Sequence, residues 1–165
     1  MVVTHNSWIL RNREETDEVF ANRCFESARG GNFEALPEPL RGTLMAQQWR
    51  AFEHSVATTA GRLDRIVEQA GVPVGRVVES REATDWWLVD IAFLHEVQGQ
   101  GLGSAVLAKI LEEARAEGAR VRLHVRLGHR ALADALAATG IIRYALSFDG
   151  IVTKVNHHRT VSEYF

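Results

Sequence analysis

Cysteine is almost absent. The single thiol, Cys24, has no partner for an intramolecular disulfide, which excludes a disulfide-stapled scaffold and suits a reducing compartment. Long apolar runs are missing too. The longest are broken by Asp90 and fall short of the ~20 residues that a bilayer span needs. The stretch MVVTHNSWILRNREE lacks a basic start followed by a long apolar core, so no secretory signal is read there and a cytoplasmic location is expected. Nor is there a basic excess. A formal net charge of −2 argues against a nucleic-acid partner, with RVRLHVRLGHR as a local exception. Repeats, low-complexity tracts and long linkers are also absent.

What is present is an ordinary globular composition, 46% hydrophobic and 24% charged over 165 residues, enough for one domain with a real core. SWILR (7–11) reads as a first strand. EETDEVFANRCFESARGG places Val19, Phe20, Cys24 and Phe25 near helical spacing and stops at Gly30-Gly31. A second helix is predicted over roughly 38–57, with Leu40, Leu44, Trp49, Phe52 and Val56 on its apolar side. RLDRIVEQ and VGRVVESRE then form an antiparallel hairpin about the AGVP turn. WWLVDIAFL reads as a strand buried on both faces, with Trp86 and Trp87 pointing opposite ways. A helix over 103–117 presents Val106, Leu107, Ile110, Leu111 and Ala114 on one face and closes at Gly118. ARVRLHVRL is a strand, HRALADALAATG a short helix, and IIRYALSF and IVTKV a hairpin about Asp149-Gly150. The expected class is α+β: one domain with a mixed, mostly antiparallel sheet of six or seven strands and four helices.

The most informative stretch is VQGQGLGSAVLAKILEEA, which has three glycines in five positions directly before a helix. A phosphate loop of the NTPase type would need a Lys-Ser/Thr after the glycines, and a dinucleotide fingerprint fails at Ser104 and Val106. What remains is Q-x-x-G-x-G, formed by Gln98, Gly101 and Gly103 at a strand-to-helix junction. Backbone N–H groups there make an anion site that a pyrophosphate can approach closely.

On VDIAFLHEVQGQGLGSAVLAKILEEA, within a span of roughly 60–155, the chain resembles the GNAT superfamily of acyl-CoA-dependent N-acyltransferases. The resemblance implies one domain. Residues 1–60 would supply a first strand and acceptor-side helices, 61–156 an acetyl-CoA-binding core, and 157–165 a tail. It implies that the loop from Gln98 through Gly99, Gln100, Gly101, Leu102 and Gly103 to Ser104 cradles the coenzyme pyrophosphate. The backbone of Ile91, Ala92 and Phe93 would pair with the pantetheine arm like an added strand.

The family often carries a tyrosine acid within N-x-x-A-x-x-L-Y-x-x-x-G-F. Aligned on Gly140, that pattern puts His129 at the Asn, and so among the coenzyme contacts, Leu132 at the Ala and Ala135 at the Leu. Leu136 then falls at the Tyr and Ile141 at the Phe. Leu136 cannot donate a proton, and Tyr144 is the nearest substitute. For the base, His124 comes first because imidazole titrates near neutrality. Asp90, a carboxylate inside an apolar strand, and Glu79, read as lying at a strand end in solvent, come next. Each has a purely structural alternative: a hydrogen-bonded strand histidine, a buried acceptor, a solvated acid.

The acceptor side is ARGGNFEALPEPLRGTLMAQQWRAFEH, where Phe33, Glu34 and Trp49 (with Glu53) offer aromatic and acidic groups to an amine. Cys24 reads as a small core residue. His157-His158 lacks a third ligand, so no metal is expected. The functional expectation is transfer of acetyl from acetyl-CoA to a primary amine. Non-catalytic acyl-CoA binding is the alternative that Leu136 favours, and an interaction domain without a nucleotide is a third. Neither a membrane nor a nucleic-acid partner is expected, and a homodimer through the terminal strands is compatible with the sequence.

Overall fold

The computed structural model describes residues 7–126, 144–146 and 151–155. The chain divides into two compact units, Met1–Glu79 with Asp90–Gln98, and Ser80–Val89 with Gly99–Phe165.

In the first unit the strands run in the order β1 (Trp8–Asn12), β2 (Arg62–Gln69), β3 (Val72–Glu82), β4 (Asp85–Phe93), the last two continuing into the second unit. β1 pairs antiparallel with β2, from Trp8 opposite Gln69 to Asn12 opposite Arg65. Only Ala70 and Gly71 join β2 to β3, both at positive φ (52° and 77°), the backbone that a two-residue hairpin favours. Helices α1 (Glu18–Arg29) and α2 (Leu40–Ala57) complete the unit. On α1 the buried positions are Ala21, Cys24 and Phe25, one stripe at helical spacing. Val19 falls off that stripe and is exposed, contrary to its expected place. On α2 Met45 and Val56 are buried. Leu40, expected on the apolar side, is 48% exposed because it opens the helix before the buried stripe begins.

Arg11 ties β1 to the start of α1. Its guanidinium donates to both Asp17 oxygens (2.7 and 2.8 Å) and to Glu68 (2.6 Å), while Asp17 also accepts the Glu14 N–H (2.8 Å). These contacts place Asp17 below its ordinary pKa of 3.8, chiefly through the Arg11 hydrogen bonds and against the cost of burial.

In the second unit the order is β3, β4, β5 (Arg120–Arg126), β7 (Ile151–Val155), β6 (Tyr144–Leu146). Ala83, at φ 45°, and Thr84 join β3 to β4. β4 and β5 are parallel, from Asp85 opposite Arg120 to Leu88 opposite Leu123, and α3 (Leu102–Ala116) is the crossover that parallel pairing demands. Val106, Leu107, Ile110, Leu111 and Ala114 of α3 are all buried, as their spacing predicts, and Gly118 follows the helix at φ 66°. β7 pairs antiparallel with both β5 and β6. The class is α+β with a mostly antiparallel mixed pattern, as expected. The fourth helix expected over 129–140 and the Asp149-Gly150 turn lie outside the described residues. Among the described residues no helix is long and apolar enough to cross a membrane.

β4 departs from the expectation of burial on both faces. Trp86, Leu88 and Ala92 are buried, whereas Val89 is 42% exposed and Trp87, Ile91 and Phe93 are half-buried. One face is core and the other is only partly covered, so continuous apolarity here does not report two-sided burial. Near its end, Phe93 lies over Gly75 of β3. A Cβ at Gly75 would stand 2.5 Å from the Phe93 ring and 3.0 Å from the Ala92 carbonyl oxygen.

Two outcomes are expected. Gly75→Ala destabilises the protein by about 1–3 kcal/mol, the usual cost of overpacking, read as a lowered urea midpoint with an unchanged slope. Asp17, with its depressed folded pKa, contributes stability at neutral pH that is lost as pH falls below 3.8 toward the folded value. Asp17→Asn, followed by thermal melting against pH, should therefore flatten the acid limb of the stability profile.

Candidate functional site

The glycine loop has the backbone its composition calls for. Gly99 and Gly101 adopt φ of 75° and 83°, and Gly101 caps the N-terminus of α3 in a left-handed conformation with no side-chain cap. The first intrahelical bond runs from the Ala105 N–H to the Gly101 carbonyl (3.1 Å). The N–H groups of Leu102, Gly103 and Ser104 therefore precede any intrahelical acceptor, at the positive end of the helix dipole. A Cβ at Gly99 or Gly101 would meet nothing within 4 Å. The loop is thus open on the side where side chains are missing. Gln100 is exposed, Leu102 buried and Ser104 half-buried.

Before the loop, the Gln98 side-chain amide donates to the Phe93 carbonyl (2.9 Å) across the His95–Val97 turn. Gln98 thus holds the end of β4, a role that spacing alone did not reveal. Of the backbone segment expected to pair with pantetheine, Ile91 and Phe93 are half-buried and Ala92 is buried.

The candidate acids and bases separate by environment. Asp90 accepts from Arg29 Nη2 at 2.9 Å, and its side chain is 13% exposed. Arg29 in turn lies over the Phe25 ring at 4.2 Å and the Phe52 ring at 5.0 Å. Asp90 is therefore tied to α1 through a guanidinium already seated on aromatics, and spacing gave no sign of a partner 61 residues away. Glu79 does not lie at a strand end in solvent. It is 1% exposed within β3 and takes Arg65 Nη2 at 2.5 Å, because β3 runs on to Glu82. His124 lies on β5 opposite Thr153 of β7, one residue beyond the point where the β4–β5 ladder ends. Tyr144 opens β6 opposite Lys154. His129, Leu136 and His157-His158 lie outside the described residues. Cys24 is buried, and desolvation pushes its thiol up to about 12, which leaves it an inert core residue. Among the described residues no group of three His, Cys, Asp or Glu could hold a metal.

Two of the three acceptor-side candidates share a pocket. An open cavity of about 450 Å³ between α1 and α2 is lined by Glu34 and Trp49, together with Glu26, Glu38, Arg41 and Met45. Phe33 closes the short turn before it and is not in the lining. Glu26, Glu38 and Arg41 escaped notice in the sequence because charges on helices read as solvated faces. Glu38 accepts from Arg41 (2.8 Å) and from the Gly42 N–H, chiefly the former, and both lower its pKa. Trp49 packs edge-on against Phe25 and tilted against Phe52, ring centroids 5.4 and 6.3 Å away.

A parallel strand pair is thus crossed by a helix that a left-handed glycine loop opens. Residues 22–140 match the Acetyltransferase (GNAT) family, and the chain belongs to that family. No curated protein matches the sequence. Solved structures with the same fold include the PaiA N-acetyltransferase from Thermoplasma acidophilum in complex with coenzyme A (TM-score 0.67, 12% identity, 92% of this chain and 99% of that one). A ribosomal-protein-S18-alanine N-acetyltransferase from Escherichia coli is also similar (TM-score 0.63, 19% identity, 96% and 100%). So is aminoglycoside acetyltransferase AAC(6')-Ib in complex with coenzyme A and kanamycin (TM-score 0.67, 16% identity, 92% and 95%). At these identities the likeness establishes the fold.

The Arg29–Asp90 pair is expected to couple measurably. A double-mutant cycle of Arg29→Met and Asp90→Asn, followed by denaturant unfolding, should return an interaction energy of about 0.5–3 kcal/mol. Additive effects would show that the pair contributes nothing to the fold.

Proposed function

We propose that this chain is an acetyl-CoA-dependent N-acetyltransferase acting on a primary amine. The reading is carried by the loop: two left-handed glycines with open space on their Cβ sides, directly before a helix N-terminus without a side-chain cap. Glycine there is demanded by the backbone and crowded by nothing in the protein, as a cradle for a bulky anion requires. On this reading Gln98, Gly99, Gln100, Gly101, Leu102, Gly103 and Ser104 hold the coenzyme pyrophosphate. The backbone of Ile91, Ala92 and Phe93 lies along the pantetheine arm, with His129 as a further coenzyme contact. Residues 1–60 form the acceptor side and 61–156 the coenzyme core.

The transfer itself is a direct one. The neutral amine nitrogen bonds to the thioester carbonyl carbon, the C–S bond breaks, and the sulfur leaves as a thiolate that takes up a proton. The chain must remove a proton from the ammonium and supply one to the sulfur. His124 is the first candidate for the base. Asp90 follows, weakened in that role by its ion pair with Arg29. Tyr144 is the candidate acid.

Leu136, at the position where relatives of this pattern carry tyrosine, favours a second reading in which the same fold binds acyl-CoA without turnover. Calorimetric titration with acetyl-CoA, followed by thiol release over a panel of amines, separates the two. Binding with thiol release supports the transferase, and binding alone supports the second reading. Gly101→Glu, which places a strained, negatively charged side chain in the loop, should weaken acetyl-CoA binding by about tenfold or more. Wild-type affinity in that variant would overturn the cradle.

A further inference from the structure

The turn that leads from β4 to the glycine loop is short and thinly packed. His95, Glu96 and Gln98 are exposed, as are Gly99 and Gln100 beyond them. Two backbone bonds shape the turn, from the Val97 N–H to the Leu94 carbonyl and from the Gln98 N–H to the His95 carbonyl, each 3.2 Å. Neither reaches back into the strand. The Gln98 side chain does: its Nε2 donates to the Phe93 carbonyl at 2.9 Å, across five residues. Closing so short a turn costs little chain entropy, so one neutral hydrogen bond is enough to favour the closed form.

Phe93 is a fixed foot for that bond. Its ring fills the space in which a side chain at Gly75 would stand. The N–H of the next residue, Leu94, donates to the Val74 carbonyl of β3 at 2.9 Å. The C=O and N–H of a trans peptide point opposite ways, so the Phe93 carbonyl faces away from β3. On that edge β5 pairs with β4 only from Asp85 to Leu88. Gln98 therefore grips the stretch of edge that β5 has left, the stretch given above to the pantetheine arm.

We infer that Gln98 is a positioning residue: its side-chain amide sets the spacing between the end of β4 and the start of the glycine loop, so that the two halves of coenzyme A bind as one ligand. The inference rests on the coenzyme reading above. With its donor committed to Phe93, the side chain acts through the backbone it holds and not by touching the coenzyme. Coenzyme A is 4′-phosphopantetheine joined to adenosine 3′,5′-bisphosphate. A ligand that spans two subsites gains from both only while their spacing matches its own length. Loss of the strut weakens the intact molecule and spares its halves.

The experiment is calorimetric titration of the full chain with coenzyme A, 4′-phosphopantetheine and adenosine 3′,5′-bisphosphate. Gln98→Met keeps the length of the side chain and removes the donor. It should weaken coenzyme A binding about fivefold, the scale of one neutral hydrogen bond, and leave each half within about twofold of the wild type. Gln98→Arg, which restores an N–H donor, should recover most of the loss. Without any ligand, hydrogen exchange at the Val97 and Gln98 amides should quicken in Gln98→Met while the α3 amides stay unchanged. Wild-type affinity for coenzyme A in Gln98→Met, equal weakening of all three ligands, unchanged exchange, or no recovery in Gln98→Arg overturns the inference and leaves the coenzyme reading standing. Failure of the wild type to bind coenzyme A overturns that reading, and the inference falls with it.

Discussion

A buried guanidinium organises the first unit. Arg76 on β3 is 1% exposed, and a charge so placed is tolerated only where partners surround it. Its Nε and Nη2 donate to the two Asp64 oxygens at 2.9 and 2.8 Å. Glu53 Oε1 lies 2.7 Å from Nη1 but off the N–H axis, so that contact acts through charge more than through a hydrogen bond. Burial works against the charged form, yet the Asp64 hydrogen bonds and the fields of Asp64 and Glu53 outweigh it and raise the pKa. Because Asp64 is on β2 and Glu53 on α2, one side chain locks a helix to a hairpin.

The consequence runs on to the pocket. Arg76 also lies 5.6 Å from the Trp49 ring and 5.5 Å from the Phe52 ring. Arg29, seated on Phe25 and Phe52, carries the same cluster toward Asp90. The aromatic trio is therefore flanked by two cations whose charges are met by carboxylates elsewhere in the unit. Arg13 widens the network by reaching Glu18, Glu53 and Asp64. Trp49 is held from behind, which leaves its position in the pocket lining independent of any occupant.

How much of this was legible in the sequence follows the range of each interaction. The α3 face, the β2–β3 hairpin and the glycine loop are local, so periodicity and turn chemistry revealed them. Glu34 and Trp49, singled out as acceptor-side candidates because an acid and an indole stood out in a loop and a helix, line one pocket. Glu26 and Arg41 were not legible, since which charged residues face one another depends on how α1 and α2 pack. Glu79 was misread for the same reason: its burial depends on Arg65, which a strand-end reading does not consider. Phe33 is not in that lining, since aromaticity alone does not say which side of a short turn a ring leaves from. On β4, apolar residues on both faces suggested cover on both. Yet hydrophobicity records only what a residue tolerates, and Val89 is left open.

Phe93 and Gly75 are in effect one variable. The ring occupies the space that any side chain at 75 would need, and the carbonyl of the same phenylalanine takes the Gln98 amide at the threshold of the glycine loop. A lineage that gained bulk at 75 would have to shed it at 93, while the backbone carbonyl that takes the Gln98 amide would remain. Drift at a position with no side chain is thereby constrained by a ring eighteen residues further along the chain.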